Sequence, residues 1–227
     1  MPSLALALHA ARQPAQKDRA PVLGDRTNLT KDAMQPPSPP MLNPLDAYYL
    51  LNPSGDLEGT QARFEARFGA YKSWEGVVGA PPPAQELARA LEGRQLFVYM
   101  GHGGGEQYLA PSRLRQLRCR AGAMLMGCSS GRLWTRPEEP SLVGGGLLAY
   151  MVAGCPGTVA NLWDVTDKDI DRFAEACLDV WMDGRGRRGG TAAVAREARS
   201  ACRLKHLNGL APVCYGLPMR VEGRVRE

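Results

Sequence analysis

The chain has 227 residues, 44% of them hydrophobic and 22% charged, with a formal net charge of +5. This length and composition fit one soluble globular domain with room for a real core. The longest apolar runs reach only about ten residues, well short of the roughly 20 that a membrane-spanning helix needs, so a membrane protein is excluded.

The cysteines and the amino terminus favour an intracellular location. The opening run MPSLALALHAARQ has no basic residue ahead of its apolar part, so no secretory signal is expected. The six cysteines form no CxxC pair, which predicts reduced, mostly buried thiols and no zinc ribbon. Arginines cluster at 113–120 and 185–188 without interleaved aromatic residues, which favours solvated surface over a nucleic-acid interface.

The first part of the chain predicts a loop followed by alternating elements. Residues 14–44 contain QPPSPP and little periodicity, so residues 1–44 are expected to be a flexible segment, with the domain covering 45–227. The sequence then predicts a strand at 47–51, a helix from Thr60 to Phe68 with Thr60 as its N-cap, and a helix at 83–91.

Three short apolar runs, at 95–100, 122–127 and 157–163, follow in the middle of the chain. Because their apolar character is continuous rather than alternating, they predict strands that are covered on both faces, as in a parallel sheet. Helices are expected at 111–117, 141–153, 167–182 and 191–203. The predicted architecture is an α/β fold, a three-layer α/β/α sandwich with a mainly parallel sheet.

Each of the three runs ends in residues that can carry chemistry. His102 follows the first run, Cys128 follows the second, and the carboxylates of Asp164 to Asp171 follow the third. Ligands and catalytic groups of such folds collect beyond the carboxyl ends of the strands. We therefore expect the three groups at one edge of the sheet.

His102 and Cys128 are suited to nucleophilic catalysis. Glycines at 101 and 103–105 leave the imidazole open to solvent and substrate, although an incidental histidine in a glycine-rich turn would look the same. A dinucleotide-binding GxGxxG pattern fails, because residue 106 is glutamate. The Cys128 thiol follows a strand directly, and a nearby imidazolium favours its reactive thiolate form.

A serine nucleophile is the alternative at the same place. Residues 127–131 also match GxSxG, which would make Ser129 the nucleophile, with Asp164 and His206 following in the order of the α/β-hydrolases. The acidic stretch from Trp163 to Asp171 has two interpretations as well. It can cap a helix, or it can pair with a guanidinium and select arginine.

The motifs together resemble the carboxyl-terminal protease domain of separase. The likeness rests on YYLLNP (48–53), SWEGVVGAPPP (73–83), VYMGHGGGEQYL (98–109), LMGCSSG (125–131), AGCPGTVANLWDVTDKDIDRF (153–173) and LKHLNGLAPVCYGLP (204–218), and covers roughly 180 of the 227 residues. The combination of GHG, GCSSG and NLWDVTDKDID in this order is far more specific than any one of the motifs.

The resemblance implies a caspase-like cysteine endopeptidase that cleaves the kleisin subunit of cohesin after arginine and so releases sister chromatids at anaphase. It implies a dyad of His102 and Cys128, oxyanion contacts from the N–H groups near Gly103 and Cys128, and an arginine pocket at Asp167 with Asp164 and Trp163 nearby. It also implies a securin-type inhibitor, a location in the cytoplasm and nucleus, and no metal or cofactor. No third residue that would orient His102 is evident.

Two features depart from the family. Separases are much longer and carry further protease-domain sequence upstream, so we expect this chain to be a fragment whose sheet is short of a strand. The segment from Gly184 to Gly190 is expected to be variable surface. A catalytically inactive caspase-like module that binds a partner through the same groove is therefore a further hypothesis.

Overall fold

A computed structural model describes residues 40–136, 138–182 and 190–221. Most of the predicted flexible segment, residues 1–39, lies outside the described residues, as does most of the Gly184 to Gly190 loop. Strand structure begins at Met41, before the predicted start of the domain at Leu45, because Met41 and Leu42 pair with Arg220 and Val221.

Ten strands occur in the described residues, and six of them form the main sheet. The strands are β1 (Met41–Leu42), β2 (Ala47–Leu51), β3 (Glu75–Val78), β4 (Leu96–Met100), β5 (Gly122–Leu125), β6 (Trp134–Arg136), β7 (Glu139–Gly144), β8 (Gly157–Asn161), β9 (Pro212–Gly216) and β10 (Arg220–Val221). The main sheet has the order β3-β2-β4-β5-β8-β9. Its first four pairings are parallel, and only the β8–β9 pairing is antiparallel.

Helices cover both faces of this sheet. They are α1 (Glu58–Ala70), α2 (Ala84–Gly93), α3 (Pro111–Leu114), α4 (Gly146–Ala153), α5 (Asp167–Met182) and α6 (Gly190–Ala198). One core cluster contains side chains of α1, α5 and α6, and the other contains side chains of α2, α3 and α4. The predicted three-layer α/β/α sandwich with a mainly parallel sheet is confirmed. No helix of the described residues is long and apolar enough to cross a membrane.

The continuous apolar runs explain the two-sided burial. All residues of β4, β5 and β8 are buried. Along β4, Val98 and Met100 pack in the α1/α5/α6 cluster, whereas Phe97 and Tyr99 pack in the α2/α3/α4 cluster. Successive side chains of a strand point to opposite faces, so a strand between two helical layers must be apolar at every position.

Several predicted helices have other limits. The helix predicted from Thr60 to Phe68 spans Glu58–Ala70, and the N-cap prediction is wrong because Leu57 occupies that position. Thr60 is buried inside the first turn, where its hydroxyl donates to Asp171. The predicted helices at 111–117 and 191–203 end at Leu114 and Ala198.

The segment predicted as a helix at 141–153 contains a strand and a shorter helix. Residues Glu139–Gly144 form β7, which pairs with β6 in an antiparallel hairpin, and α4 begins only at Gly146. A Cβ atom at Gly144 would lie 2.4 Å from the exposed Trp134 ring, so any other residue there would have to displace that ring. Edge strands β3 and β9 were not predicted, because neither shows the continuous apolar run of a central strand.

Asp169 joins α5 to the loop that precedes β9. The Asp169 carboxylate is buried and accepts hydrogen bonds from several donors: the backbone N–H groups of Arg203 and Leu204, the Asn208 amide and the Arg172 guanidinium. Burial opposes ionisation, but these hydrogen bonds outweigh it and lower the pKa of Asp169 to about 2. The buried charge is thus compensated and holds the loop on the helix.

We predict that Asp169→Asn lowers the free energy of unfolding at pH 7 by about 3 kcal/mol, because hydrogen bonds to a buried charge are lost. The folded-state pKa lies below the unfolded value of 3.8, so this contribution is present above pH 4 and is lost as the pH falls toward about 2. Urea unfolding at pH 7 and pH 3 measures it. Asp167→Asn, at an exposed position of the same helix, is the control. Equal effects of both variants would contradict the prediction.

Candidate active site

Four neighbouring strands end at the candidate site. β2, β4, β5 and β8 are adjacent and parallel, so the loops that follow them lie at one edge of the sheet. These loops carry Asp56, His102, Cys128 and the acidic stretch that begins α5. The edge is the one at which parallel sheets place ligands and catalytic groups.

His102 and Cys128 line one small cavity at this edge, of about 20 Å³, room for roughly one water molecule. The structure therefore brings the two predicted dyad residues together. The residues that complete the lining are Leu57, Thr60, Met100, Gly101, Met126, Gly127, Val165, Asp167, Ile170 and Asp171.

The loops that carry His102 and Cys128 touch backbone to backbone. A Cβ atom at Gly127 would lie 2.1 Å from the carbonyl oxygen of Gly103 and 2.4 Å from that of Gly101. Both distances are too short for any side chain, so only glycine allows this approach. The glycine before Cys128 thus sets the separation of the two loops.

Side-chain hydrogen bonds fix the backbone of the histidine loop, residues 101–105. The Tyr99 hydroxyl donates to the carbonyl oxygen of His102 at 2.6 Å, and the Gln107 amide donates to the same oxygen at 3.0 Å. The buried Tyr150 hydroxyl donates to the carbonyl oxygen of Gly104 at 3.0 Å. Gly103 adopts a φ of 63°, a left-handed conformation that favours glycine. The loop is therefore held in one turn although it is rich in glycine.

The cysteine loop is held by the polar end of β8. The Asn161 amide donates to the carbonyl oxygen of Gly127 at 3.0 Å, and the Asn161 N–H donates to the Ser130 hydroxyl at 3.0 Å. The Ser130 hydroxyl in turn donates to the carbonyl oxygen of Leu125 at 2.7 Å. Asn161 and Ser130 are both buried, so the turn after β5 is tied to two strands.

The Cys128 thiol is half-buried and pairs with the next loop. Its sulfur donates to the carbonyl oxygen of Val165 at 3.2 Å and accepts from the Val165 N–H at 3.4 Å. The thiol hydrogen therefore points to Val165, and no hydrogen bond joins Cys128 to His102 among the described residues. Catalytic hydrogen bonds commonly form only with substrate present.

Backbone N–H groups of the histidine and cysteine loops have no acceptor among the described residues. In the described residues, the N–H groups of Gly103 and Cys128 donate to no protein atom. The nitrogen of Gly103 lies only 2.6 Å from where a Gly127 Cβ would stand, directly beside Cys128. Such free donors can stabilise negative charge on an oxygen. Their role as an oxyanion hole stays a prediction.

Asp56 contacts the His102 ring, a residue that sequence reasoning missed. Its Oδ2 lies 2.9 Å from Nε2 of His102. The side chains are 60% and 52% exposed, so the pair contributes little to stability. The loop after β2 carries no signal of this contact in the sequence, because Asp56 precedes His102 by more than forty residues and reaches it only through the adjacency of β2 and β4.

Two carboxylates line the cavity, and both belong to the acidic stretch from Trp163 to Asp171 that the sequence offers as an arginine pocket. Asp167, a predicted arginine-pocket residue, begins α5 and lines the cavity. Asp171, one helical turn later, lines it too, and its two oxygens share the single Thr60 hydroxyl hydrogen at 3.0 and 3.2 Å. Burial raises the pKa of Asp171 to about 6, partly offset by the Thr60 hydrogen bond. The four-residue spacing from Asp167 could have indicated a shared helix face.

Asp164 and Trp163, the other predicted arginine-pocket residues, do not line the cavity that Asp167 lines. Asp164 accepts a hydrogen bond from the Ser129 hydroxyl at 2.6 Å, and the indole of Trp163 is exposed. Neither side chain lines the cavity beside Cys128. The structure therefore separates these two from the cavity in which it places Asp167.

The serine-hydrolase alternative does not fit this geometry. In a Ser-His-Asp triad the imidazole stands between the serine and the carboxylate. Here the Ser129 hydroxyl bonds Asp164 directly, and in the described residues no hydrogen bond joins His206 to either group. The chain after the turn also enters β6 rather than the helix that a nucleophile elbow requires.

The described residues contain no group of three His, Cys, Asp or Glu side chains placed to hold a metal ion. All six cysteines are free, and Cys119, Cys155, Cys177 and Cys202 are buried. Burial raises the pKa of the Cys177 thiol well above its usual range, as expected for an inert core cysteine.

Comparisons with known proteins identify the family of this chain. The family described as "Separin, protease domain" matches residues 1–170. Separin of Mus musculus is 43% identical over 182 residues, or 80% of this chain and 8% of the mouse protein. Separin of Emericella nidulans is 48% identical over 181 residues, or 75% of this chain and 9% of the fungal protein. The chain thus spans less than a tenth of the length of these two relatives.

Solved structures show the same fold. A crystal structure of the Saccharomyces cerevisiae separase-securin complex at 3.0 Å resolution matches with a TM-score of 0.73 and 35% sequence identity. The match covers 81% of this chain and 12% of the yeast chain. It confirms the predicted caspase-like α/β class. The sequence and structural matches together show that this chain belongs to the separin protease family.

Proposed function

We propose that this domain is a cysteine endopeptidase that cleaves peptide bonds after arginine. The observation that carries the proposal is one cavity lined by an imidazole, a thiol and two carboxylates, at the edge where four parallel strands end. Membership in the separin protease family supports peptidase chemistry at this place. The thiol supplies the nucleophile, and the carboxylates supply the charge that an arginine side chain would pair with.

The proposed reaction proceeds in two steps. His102 accepts the thiol proton, and the Cys128 sulfur attacks the carbonyl carbon of the substrate arginine. The carbonyl oxygen gains negative charge and is held by the free N–H groups of Gly103 and Cys128. His102 then gives the proton to the leaving amine, which leaves a thioester on Cys128. Water, with its proton taken by His102, hydrolyses the thioester and restores the thiol.

We assign arginine recognition to the two carboxylates that line the cavity, Asp167 and Asp171. Asp171 is 4% exposed, whereas Asp167 is exposed. In the described residues, the Asp171 carboxylate accepts hydrogen bonds from the uncharged Thr60 hydroxyl alone. A guanidinium entering the cavity would replace this weak partner with a bidentate ion pair. A volume of about 20 Å³ is far too small for an arginine side chain, so binding requires the cavity to widen.

The biological role is proposed for the full-length protein of which this domain is a part. We propose the kleisin subunit of cohesin as substrate, with release of sister chromatids at anaphase, and a location in the cytoplasm and nucleus. A securin-type inhibitor is also proposed, supported by the yeast relative, which was crystallised as a separase-securin complex.

The nucleophile is tested by single substitutions in the intact protein. Cys128→Ser is expected to abolish cleavage of an arginine-containing kleisin peptide, because the hydroxyl is a far weaker nucleophile than the thiolate. Ser129→Ala, one residue away, is the matched control and is expected to keep most of the activity. The reverse pattern would support a serine hydrolase.

An arginyl acyloxymethyl ketone probe gives an independent measurement. It is expected to label the wild-type protein at Cys128 and to leave Cys128→Ser unlabelled. A folded protein that the probe does not label would support the inactive caspase-like binding module and overturn the peptidase proposal.

The Asp171 carboxylate predicts a pH dependence of arginine binding. Its pKa of about 6 in the free cavity falls when a guanidinium pairs with it, so binding must displace a proton below pH 6. We expect the dissociation constant of an arginine peptide for the Cys128→Ala protein to be constant above pH 7. Below pH 6 it should rise about tenfold per pH unit.

Two controls isolate the carboxylate that is responsible. Asp171→Asn is expected to weaken binding and to remove the pH dependence, whereas Asp167→Asn should leave the dependence in place. A peptide with neutral citrulline in place of arginine should bind weakly and independently of pH. Loss of the dependence in Asp167→Asn alone would assign the arginine to Asp167 instead.

A further inference from the structure

Asp56 is the carboxylate nearest the proposed catalytic imidazole. We infer that it is a positioning residue: it accepts the Nε2 hydrogen of His102 and leaves Nδ1 as the free, basic nitrogen of the ring. The inference rests on the 2.9 Å distance between Oδ2 of Asp56 and Nε2 of His102. A carboxylate can only accept, so the ring nitrogen that faces it must carry the hydrogen.

The loop that carries Asp56 is fixed, although Asp56 itself is exposed. Asn52 is buried and adopts a φ of 49°, which turns the chain sharply after β2. The Asn52 side-chain oxygen accepts from the N–H of Leu57 at 2.9 Å, and its backbone oxygen accepts from the N–H of Gly55 at 3.0 Å. Asp56 thus lies between two residues whose backbones are both anchored to Asn52.

The same loop is joined to the histidine loop at two points. The N–H of Asn52 donates to the carbonyl oxygen of Met100 at 2.8 Å, two residues before His102. The hydroxyls of Ser54 and Tyr108 lie 2.9 Å apart on the far side. Asp56 and His102 are therefore held on two loops that cannot shift independently, which is what an orienting contact requires.

The contact acts on geometry rather than on stability. An exposed pair contributes at most about 1 kcal/mol to folding. The glycines around His102 contribute no side chain, and among the hydrogen bonds of the described residues the ring makes the one to Asp56. For the proposed peptidase, the reactive nitrogen must face Cys128 before proton transfer can occur, and small misplacements cost up to about a hundredfold in rate.

The tautomer is tested directly by ¹⁵N NMR of histidine-labelled protein, with the His102 signals assigned by their loss in His102→Gln. The neutral ring of the wild-type protein is expected to show hydrogen on Nε2. Asp56→Ala is expected to give a mixture of both tautomers, and Asp56→Asn, which keeps an acceptor oxygen, should preserve the Nε2–H form. A ring with hydrogen on Nδ1, or a spectrum unchanged in Asp56→Ala, would overturn the inference. This measurement does not depend on activity, so it separates failure of the inference from failure of the proposed function.

Steady-state cleavage of an arginine peptide by the intact protein is the second measurement. Asp56→Ala is expected to lower kcat about tenfold to a hundredfold while KM changes less than twofold, and Asp56→Asn should lose much less. Glu58→Gln, which removes an equal charge from an exposed position two residues away, is the matched control and should keep the wild-type kcat. An equal loss in Glu58→Gln, or an unchanged kcat in Asp56→Ala, would show that Asp56 has no positioning role.

Discussion

The candidate site depends on the contact between the loop after β4 and the loop after β5. At Gly127 the chain passes so close to Gly101 and Gly103 that a single Cβ atom would collide with backbone oxygens at 2.1 and 2.4 Å. Side chains on the two loops can share one small cavity only because these backbones touch. The glycine before Cys128 is therefore required by the packing between the loops, and Gly103 is favoured by its φ of 63°.

Buried polar side chains carry out the rest of the positioning. Asn52, Asn161 and Asp169 each stand at a strand end or in the helix beyond it, are at most 2% exposed, and hold the backbone of a neighbouring loop. A buried polar group without a partner is costly, so such side chains favour one loop conformation over all others. The loops at this edge are thus fixed by the same core that the sheet and helices form.

Asp171 and Asp169 are two buried carboxylates of the same helix with different hydrogen-bond partners. Its carboxylate is buried with an uncharged hydroxyl donor, and burial raises its pKa to about 6. Asp169, two residues earlier, is buried with backbone, amide and guanidinium donors, and these lower its pKa to about 2. The Asp169 charge is compensated by hydrogen-bond donors of the fold, whereas Asp171 has the Thr60 hydroxyl as donor and the charge of Arg63 nearby.

The sequence by itself determined the layers of the fold and the reactive side chains at the carboxyl-terminal edge of the parallel strands. Continuous apolar runs are sufficient to predict β4, β5 and β8, and the residues after them name His102, Cys128 and Asp167, because parallel strands end at one edge. Strands β3 and β9 were missed, since edge strands are only partly buried and lack that pattern. Only the tertiary structure decided that Asp171 lines the cavity, that Asp164 pairs with Ser129, and that Asp56 meets His102. Such contacts depend on distances between loops far apart in the chain, which no local pattern of residues encodes.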